Sequence, residues 1–539
     1  MNNPKHKLKL TYIASAVATF TRATAILDSA DKYGKKEEYK NLLTDILYRL
    51  DSYSDNCDLG TLWNALIEKS HKKTLYKFYD ESKHRLMVQS DSGGLQQITL
   101  GIKVTDEDRK NIFRRQAEYS THAMNFDEMP VLVNENLREK FEYKCAADQG
   151  IKANHSIKYF VKELRYDKGR ASGFNIKEQI EVFMEFQKNN PHKDCAKVLV
   201  IIQGWDIEDY NEYARGVFSV FNEMEEKERE KYYEYIAGIS LGTSGIISYF
   251  RMLDLYCRAP IDLTEIPERF RSLIHILGLG GNNKSGVLFA LQDGFFGKEV
   301  HYTYDSTTLT SVSTFGRYTE IEEIKCQRDG EDVSYIKAKG CTLGRVKITP
   351  KIKKFMSEVQ DEFEDLLDKH LGSGKLTRDE FRNKFSPWRD DEFTGIKDFE
   401  NAFGGKDCIK AREEYNNAIS LNTFLHFALE AKTFMTILDH MKEGDFNSIN
   451  DKEYRKALTT LSKIKNYDEY MQKRDIFKLI LGFNPTPGSE DEKYHLENPG
   501  TNQNRNEKRA SQMTYVETVE EFNRICENST AEGYEDDEW

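Results

Sequence analysis

Two aspartates stand where the chain reads as though a β-strand ends. Asp91 opens Asp91-Ser92-Gly93-Gly94 after the apolar-polar run 85–90, and Asp305 closes His301-Tyr302-Thr303-Tyr304-Asp305 far downstream. A pair of carboxylates that meet across a site suits retaining glycosyl transfer, with one as nucleophile and the other moving a proton. A single Asp after a strand is more often a helix N-cap or turn residue. The weight of the pair therefore rests on the elements around it.

Those elements alternate. Short β-type runs at 86–90, 122–126, 198–203, 235–240, 273–278 and 302–304 are separated by helical patterns at 106–119, 176–189, 207–221, 244–257 and 285–294. Strand followed by helix with short connections predicts a parallel α/β sheet. A further strand at 8–14, and one more in the N-terminal part, would complete a TIM-type (β/α)8 barrel. Beyond residue 351, apolar positions three and four apart at 352–371, 409–443 and 454–481 predict an α-helical C-terminal extension. The expected organisation is a barrel with N-terminal elaboration at 1–345 and a helical domain at 346–482. A polar loop and acidic tail, partly disordered, are expected at 483–539, where Pro485, Pro487, Gly488, Pro499 and Gly500 cluster.

Composition narrows the function classes. Of 539 residues, 39% are hydrophobic and 31% charged, which predicts a globular protein. No apolar run approaches the roughly 18 residues of a membrane span, and the start of the chain lacks a secretory pattern, so no membrane partner and a cytoplasmic location are expected (host cytoplasm if phage-encoded). The 8 cysteines include no CxxC, which argues against a disulfide framework or a zinc ribbon. A net charge of −12 argues against indiscriminate nucleic-acid binding but not against a local basic groove. The basic stretches 158–170 and 317–339 read as solvated faces.

Residues fit for chemistry recur at the ends of successive strand candidates. Asp127-Glu128 follows 123–126, Gln203-Gly204 ends 198–202, Gly238 and Gly242 fall in 236–242, and Gly278, Gly280 and Gly281 follow 275–277. In an α/β barrel this edge is where the active site is built. The ordered set Asp-Ser-Gly-Gly-x-Gln, Phe-Asp-Glu, Ile-x-Gln-Gly, Gly-x-x-x-Gly, Leu-Gly-x-Gly and aromatic-Asp-Ser, over about 85–320, resembles the tRNA-guanine transglycosylase superfamily. That family exchanges guanine in a polynucleotide for a 7-deazaguanine. By this resemblance Asp305 is the nucleophile that attacks the anomeric carbon, and Asp91 the general acid/base. Ser92, Gly93, Asp127, Gln203, Gly204, Gly238, Ile239, Leu277 and Gly278 are base-binding positions, with Asp127 and Gln203 on the purine edge and Gly238-Ile239 against its carbonyl.

Departures from the family are equally informative. The CxCxxC zinc motif is absent, and only Cys326 and Cys341 follow the nucleophile at a comparable distance, so no metal and no cofactor is expected. Leu95 replaces the usual aromatic residue after Asp-Ser-Gly-Gly. Trp205 could supply a stacking face instead, or pack beneath a loop, and Arg317 could hold a phosphate. No segment resembles the RNA-binding domain of archaeal relatives. The branch most similar is the 7-deazaguanine DNA transglycosylase (DpdA) family of phages and bacterial DNA-modification systems. That resemblance implies DNA and a free 7-deazaguanine base such as the 7-cyano form as partners, and fits a monomer. The alternatives are a tRNA-guanine transglycosylase, a non-catalytic nucleic-acid-binding barrel subunit, or a barrel glycoside hydrolase, which the Asp127-Gln203 pair disfavours.

Overall fold

A computed structural model describes residues 8–15, 57–66, 87–93, 103–134, 158–242, 249–279, 281–306, 317–328, 331–342, 437, 440–441, 443–449, 451–481 and 514–531. Eight parallel strands form one curled sheet. In chain order they are β1 (Leu8–Ser15), β2 (Cys57–Asn64), β3 (Met87–Asp91), β4 (His122–Met124), β7 (Lys197–Gln203), β8 (Ile236–Gly242), β9 (Leu273–Ile276) and β10 (Val300–Ser306). Each strand pairs with its neighbours in space, and β1 bonds to β10 on one side and β2 on the other, so the sheet curls back on itself. The arrangement is an α/β fold consistent with a TIM-like one.

The helices between these strands are α1 (Asp106–Tyr119), α2 (Arg165–Asn189), α3 (Ile207–Asn222), α4 (Glu226–Tyr233), α5 (Tyr249–Asp262) and α6 (Gly281–Ala290). Their starts follow local chemistry. Thr105 and Asp108 form a capping box on α1, and the Asp206 side chain caps α3 by accepting from the Asp209 amide. Alternate residues of β7 face opposite layers. Leu199 and Ile201 join Ile13, Leu62 and Met124 in the sheet interior, and Val198, Val200 and Ile202 are fully buried in the same strand.

The observed elements extend the expected ones in three places. β8 runs to Gly242 rather than ending near 240, which moves the functional end of that strand. β2 fills the place of the further N-terminal strand, in a segment whose Asp58 and Gly60 break the apolar alternation. Helix α2 begins at Arg165, so the basic stretch 158–170 is not simply a solvated face: it supplies β6 (Lys158–Val161) and the first turns of α2. Gly169 and Gly173 on α2 and Gly216 on α3 let the two backbones approach, since a Cβ at any of them would strike the facing carbonyl.

β6 lies in a small sheet of its own, antiparallel to β5 (Val131–Val133) and parallel to β13 (Thr514–Val516). β13 and the following helix α9 (Val519–Ala531) correct the expectation of a loop and tail across 483–539. Tyr515, Val516 and Phe522 are buried against Tyr159, Phe160 and Val161, and a few such anchors suffice to order an otherwise acidic segment. Residues 483–513 lie outside the described residues.

The chain divides into two compact units: 1–15 with 54–306 and 441–539, and 16–53 with 307–440. In the second, β11 (Arg317–Arg328) and β12 (Glu331–Thr342) form an antiparallel hairpin. Most of the expected helical domain 346–482 lies outside the described residues. Its last helices, α7 (Lys452–Leu461) and α8 (Tyr467–Leu481), belong with the first unit. Tyr454 of α7 stacks on Tyr249 of α5 at 4.1 Å, and Gly286 of α6 leaves room for Leu458. No helix among the described residues is long and apolar enough to cross a membrane.

Asp254 of α5 ties α8 down. Its carboxylate accepts from Arg474 Nε at 2.5 Å, Arg474 Nη2 at 2.8 Å, the Tyr470 hydroxyl at 2.8 Å and Arg258 Nη1 at 3.2 Å. Burial alone would raise its pKa, but these partners outweigh burial and hold it below the ordinary value. Because its folded pKa is depressed, the network stabilises the fold above the ordinary carboxylate range and weakens as acid protonates Asp254. Replacing Asp254 with Ala takes the carboxylate from Arg474, while Arg258 keeps Asp262, so Asp254→Ala should lower unfolding stability by about 3 kcal/mol at neutral pH, measured by denaturant titration.

Candidate active site

Asp91, Asp127, Gln203 and Asp305 lie at one edge of the sheet, the C-terminal ends of its strands. Asp91 is the last residue of β3, and Asn64, the last of β2, pairs with it in register and donates Nδ2 to its Oδ2 at 2.9 Å. The Gly93 amide donates to Asp91 Oδ1 at 3.2 Å. That turn requires glycine: Gly93 has φ +86, and a Cβ there would lie 2.6 Å from Leu66 Cβ. Ser92 donates to the Asn125 carbonyl at 2.9 Å, joining the end of β3 to the loop after β4.

Asp127 sits in that loop, which two helices hold from behind. The Glu128 amide donates to Ser172 Oγ at 2.7 Å, Tyr213 Oη donates to the Glu128 carbonyl at 3.0 Å, and Asn175 Nδ2 donates to the Phe126 carbonyl at 3.1 Å. Asn125 prolongs the strand pairing through its side chain, Oδ1 accepting from the Ile201 amide at 2.5 Å. So braced, Asp127 Oδ2 accepts from Gln203 Nε2 at 2.7 Å, with the two residues 6% and 5% exposed. Gln203 ends β7 in register with Gly242, where a Cβ would overlap the Gln203 amide. Tyr210, at the start of α3, donates its hydroxyl to the Gly242 carbonyl, and its ring would lie 2.6 Å from a Cβ on Gly204.

Asp305 completes the edge from β10. Gly278, with φ +65 in the turn after β9, donates its amide to Asp305 Oδ1 at 2.5 Å. Leu277 packs on the interior cluster of Ile13, Leu62, Met124, Leu199 and Ile201, which forms an apolar floor under the carboxylates. His275 Nε2 faces Asp305 Oδ1 at 3.5 Å.

The electrostatics distinguish the carboxyls. Burial raises the pKa of Asp91; the amides of Gly93 and Ser92 and the Asn64 side chain oppose the rise, and the charge of Asp305 adds to it. Burial likewise raises Asp127, to about 7, against the Gln203 hydrogen bond and with help from the charges of Asp91 and Glu128. Asp91 thus feels Asp305, and Asp127 feels Asp91. A chain of mutually interacting acids in a partly dry site is the condition under which one carboxyl can hold a proton while another is ionised.

Two expected positions, Gly238-Ile239 and Trp205, are placed otherwise than the sequence suggested. Gly238 and Ile239 pair with Leu199 and Val200, below the strand end, and the space at Gly238 is taken by the Leu273 carbonyl. The backbone level with Gln203 is that of Gly242. The shift follows from β8 being longer than its apolar run suggested. Trp205 is not a free stacking face: it is buried with Met129, Val131, Phe160 and Tyr515, and the Arg251 guanidinium lies 5.3 Å from its ring centre. Arg317 opens β11 in the second unit, and its side chain lies outside the described residues, as do Gly94, Leu95 and Gly280.

Among the described residues no three His, Cys, Asp or Glu side chains are grouped to hold a metal ion. Cys326 pairs with Val333 near the hairpin turn and Cys341 with Tyr318 at its open end. Reading the sequence missed Asn64, Ser172, Tyr213 and His275, because each acts on a partner distant in the chain and carries no local motif. No protein-family model and no curated protein matches the chain.

The raised pKa of Asp127 has a stability consequence. From the ordinary 3.8 to about 7 the unfolded chain has lost a proton that the folded chain still binds, so stability falls as pH rises through that window and levels above it. Asp127→Asn removes that cost and can keep a bond to Gln203. It should match the unmodified protein near pH 4 and exceed its stability by roughly 2 kcal/mol at pH 8, read from unfolding at both pH values.

Proposed function

We propose that the chain is a guanine transglycosylase acting on DNA, a TIM-type (β/α)8 enzyme that replaces guanine in the polymer with a 7-deazaguanine such as the 7-cyano form. The observation that carries this reading is the division of labour along one sheet edge. Asp305 and Asp91 are coupled electrostatically, and the Asp127-Gln203 pair beside them offers an acceptor and an amide to a heterocycle. The sequence resemblance supports these roles for the same residues.

The chemistry follows from the environments. An Asp305 oxygen attacks the anomeric carbon as the bond to the purine nitrogen breaks, and the bonding pair leaves with the base. Asp91, shifted toward its protonated form, gives its proton to the departing guanine. Asp127 as carboxylate accepts from the ring and amino N–H groups of the base edge, and Gln203 adds its amide. In the second half the incoming deazaguanine loses its ring proton to Asp91 and attacks the anomeric carbon, and the ester bond to Asp305 breaks. A hydrolase would need a water at the second step and no purine-edge pair. Reaching a base inside a duplex requires extrusion or a single-stranded stretch.

Release of labelled guanine, assayed separately on DNA and on tRNA with a 7-deazaguanine as the incoming base, tests the reading. Exchange on DNA is expected; exchange on tRNA alone would make the chain a tRNA enzyme. Asp305→Ala should abolish exchange with folding retained, and Asp91→Asn should lower turnover by about 100-fold or more while DNA binding holds. Because Asp127 must be ionised to accept from the base edge, affinity for the free deazaguanine should fall about tenfold per pH unit below about 7 and level off above it, measured by calorimetry. A flat profile between pH 5.5 and 8 would remove Asp127 from base recognition.

A further inference from the structure

Beneath the two aspartates the sheet interior carries a short polar chain. His275, fully buried on β9, has Nδ1 at 2.8 Å from Thr303 Oγ1, and Gln89 Nε2 donates to the same hydroxyl at 3.2 Å. The other imidazole nitrogen, Nε2, has no hydrogen-bond partner among the described residues, and it faces Asp305 Oδ1 at 3.5 Å. A buried polar atom left in this way costs free energy, so a functional use is the natural account.

The polarity of the chain can be worked out. The Gln89 amide N–H only donates, so Thr303 Oγ1 accepts from it. The hydroxyl then has one proton to give, and His275 Nδ1 is the acceptor in reach. With the hydroxyl proton given to Nδ1, the ring hydrogen sits on Nε2, facing the carboxylate. The opposite tautomer would set a lone pair against the Asp305 oxygen. Gly278 N–H and His275 Nε2–H therefore address the same atom, Oδ1, and no donor among the described residues addresses Oδ2.

We propose that His275 is a positioning residue which, with the Gly278 amide, holds Asp305 Oδ1 and so presents Oδ2 to the anomeric carbon. The inference rests on Asp305 being the nucleophile. In the covalent step the Oδ2–carbon bond forms as the carbon–purine bond breaks, the electron pair departs with the base, and the base takes the Asp91 proton. Oδ1 becomes the carbonyl oxygen of the ester and keeps both donors. When the ester carbon–oxygen bond later breaks, the returning negative charge falls on a carboxylate already bonded on one oxygen, which makes Asp305 the better leaving group. Thr303 and Gln89 act one step further away, by fixing the tautomer.

Two measurements on the full chain test this. Nitrogen-15 NMR of the histidines, without substrate, should show His275 with Nε2 protonated, with a resonance that shifts in Asp305→Ala and a changed tautomer in Thr303→Val. An Nδ1-protonated His275 in the unmodified protein would overturn the proposal whatever the enzyme's substrate. In single-turnover assays, His275→Leu should slow formation of the covalent intermediate roughly 10- to 100-fold with KM for the free base unchanged. His275→Gln, whose amide N–H can replace Nε2–H, should recover most of the rate. A folded His275→Leu protein with full rate, or no recovery in His275→Gln, would also overturn it. If His275→Leu does not fold, Thr303→Val carries the kinetic arm, and an unchanged rate there counts against the proposal. An unmodified chain that releases guanine from neither DNA nor tRNA refutes the transglycosylase reading instead, and the tautomer then decides this one alone.

Discussion

Holding three carboxyl groups at one edge of a curled parallel sheet is the constraint on which the candidate site depends. Each loses hydration on burial, and neighbouring negative charges make ionising all of them costlier still. The structure meets this with unequal compensation. Asp305 has the Gly278 amide, Asp91 has Asn64 and the Gly93 amide, and Asp127 has little beyond Gln203. At Asp91 and Asp127 burial outweighs these donors, so both hold a proton more readily than a free carboxyl does.

The compensating donors are available because parallel register brings strand ends level. Asn64 stands opposite Asp91, and Gln203 opposite Gly242. Glycine at the latter position leaves room for the Gln203 amide, whose Nε2 donates to Asp127. The loop carrying Asp127 gains its rigidity from outside the sheet, through Ser172 and Asn175 of α2 and Tyr213 of α3. The close approach of α2 and α3 at Gly169, Gly173 and Gly216 is thus linked to the geometry of the loop that carries Asp127.

Elements distant in sequence complete this frame. The Asp254 network fastens α8 to α5, and β13 adds a third strand to β5 and β6, enclosing Trp205 in an aromatic cluster. That enclosure explains why Trp205 is unsuited to stacking on a base although it directly follows the Gln203-Gly204 turn. Its neighbours Phe160 and Tyr515 come from chain positions that no local pattern connects to it.

The amino-acid order by itself determined the alternation of strand and helix and the polar or glycine residue at each strand end, and hence Asp91, Asp127, Gln203 and Asp305 as candidates. Apolar period and turn chemistry are local, so they are legible without a structure. The length of β8, and with it the choice of Gly242 over Gly238, depended on pairing with β7 and β9, which local apolarity does not report. The strand at Cys57–Asn64 was hidden for the same reason: Asp58 and Gly60 break its apolar alternation, and its pairing with β1 and β3 is not a local property. Only the tertiary structure could set His275 beneath Asp305 or Tyr213 behind Asp127, since those contacts join segments separated by long stretches of chain. Which proton each carboxyl keeps was likewise decided in three dimensions, because a pKa follows from burial and neighbouring charge rather than from residue type.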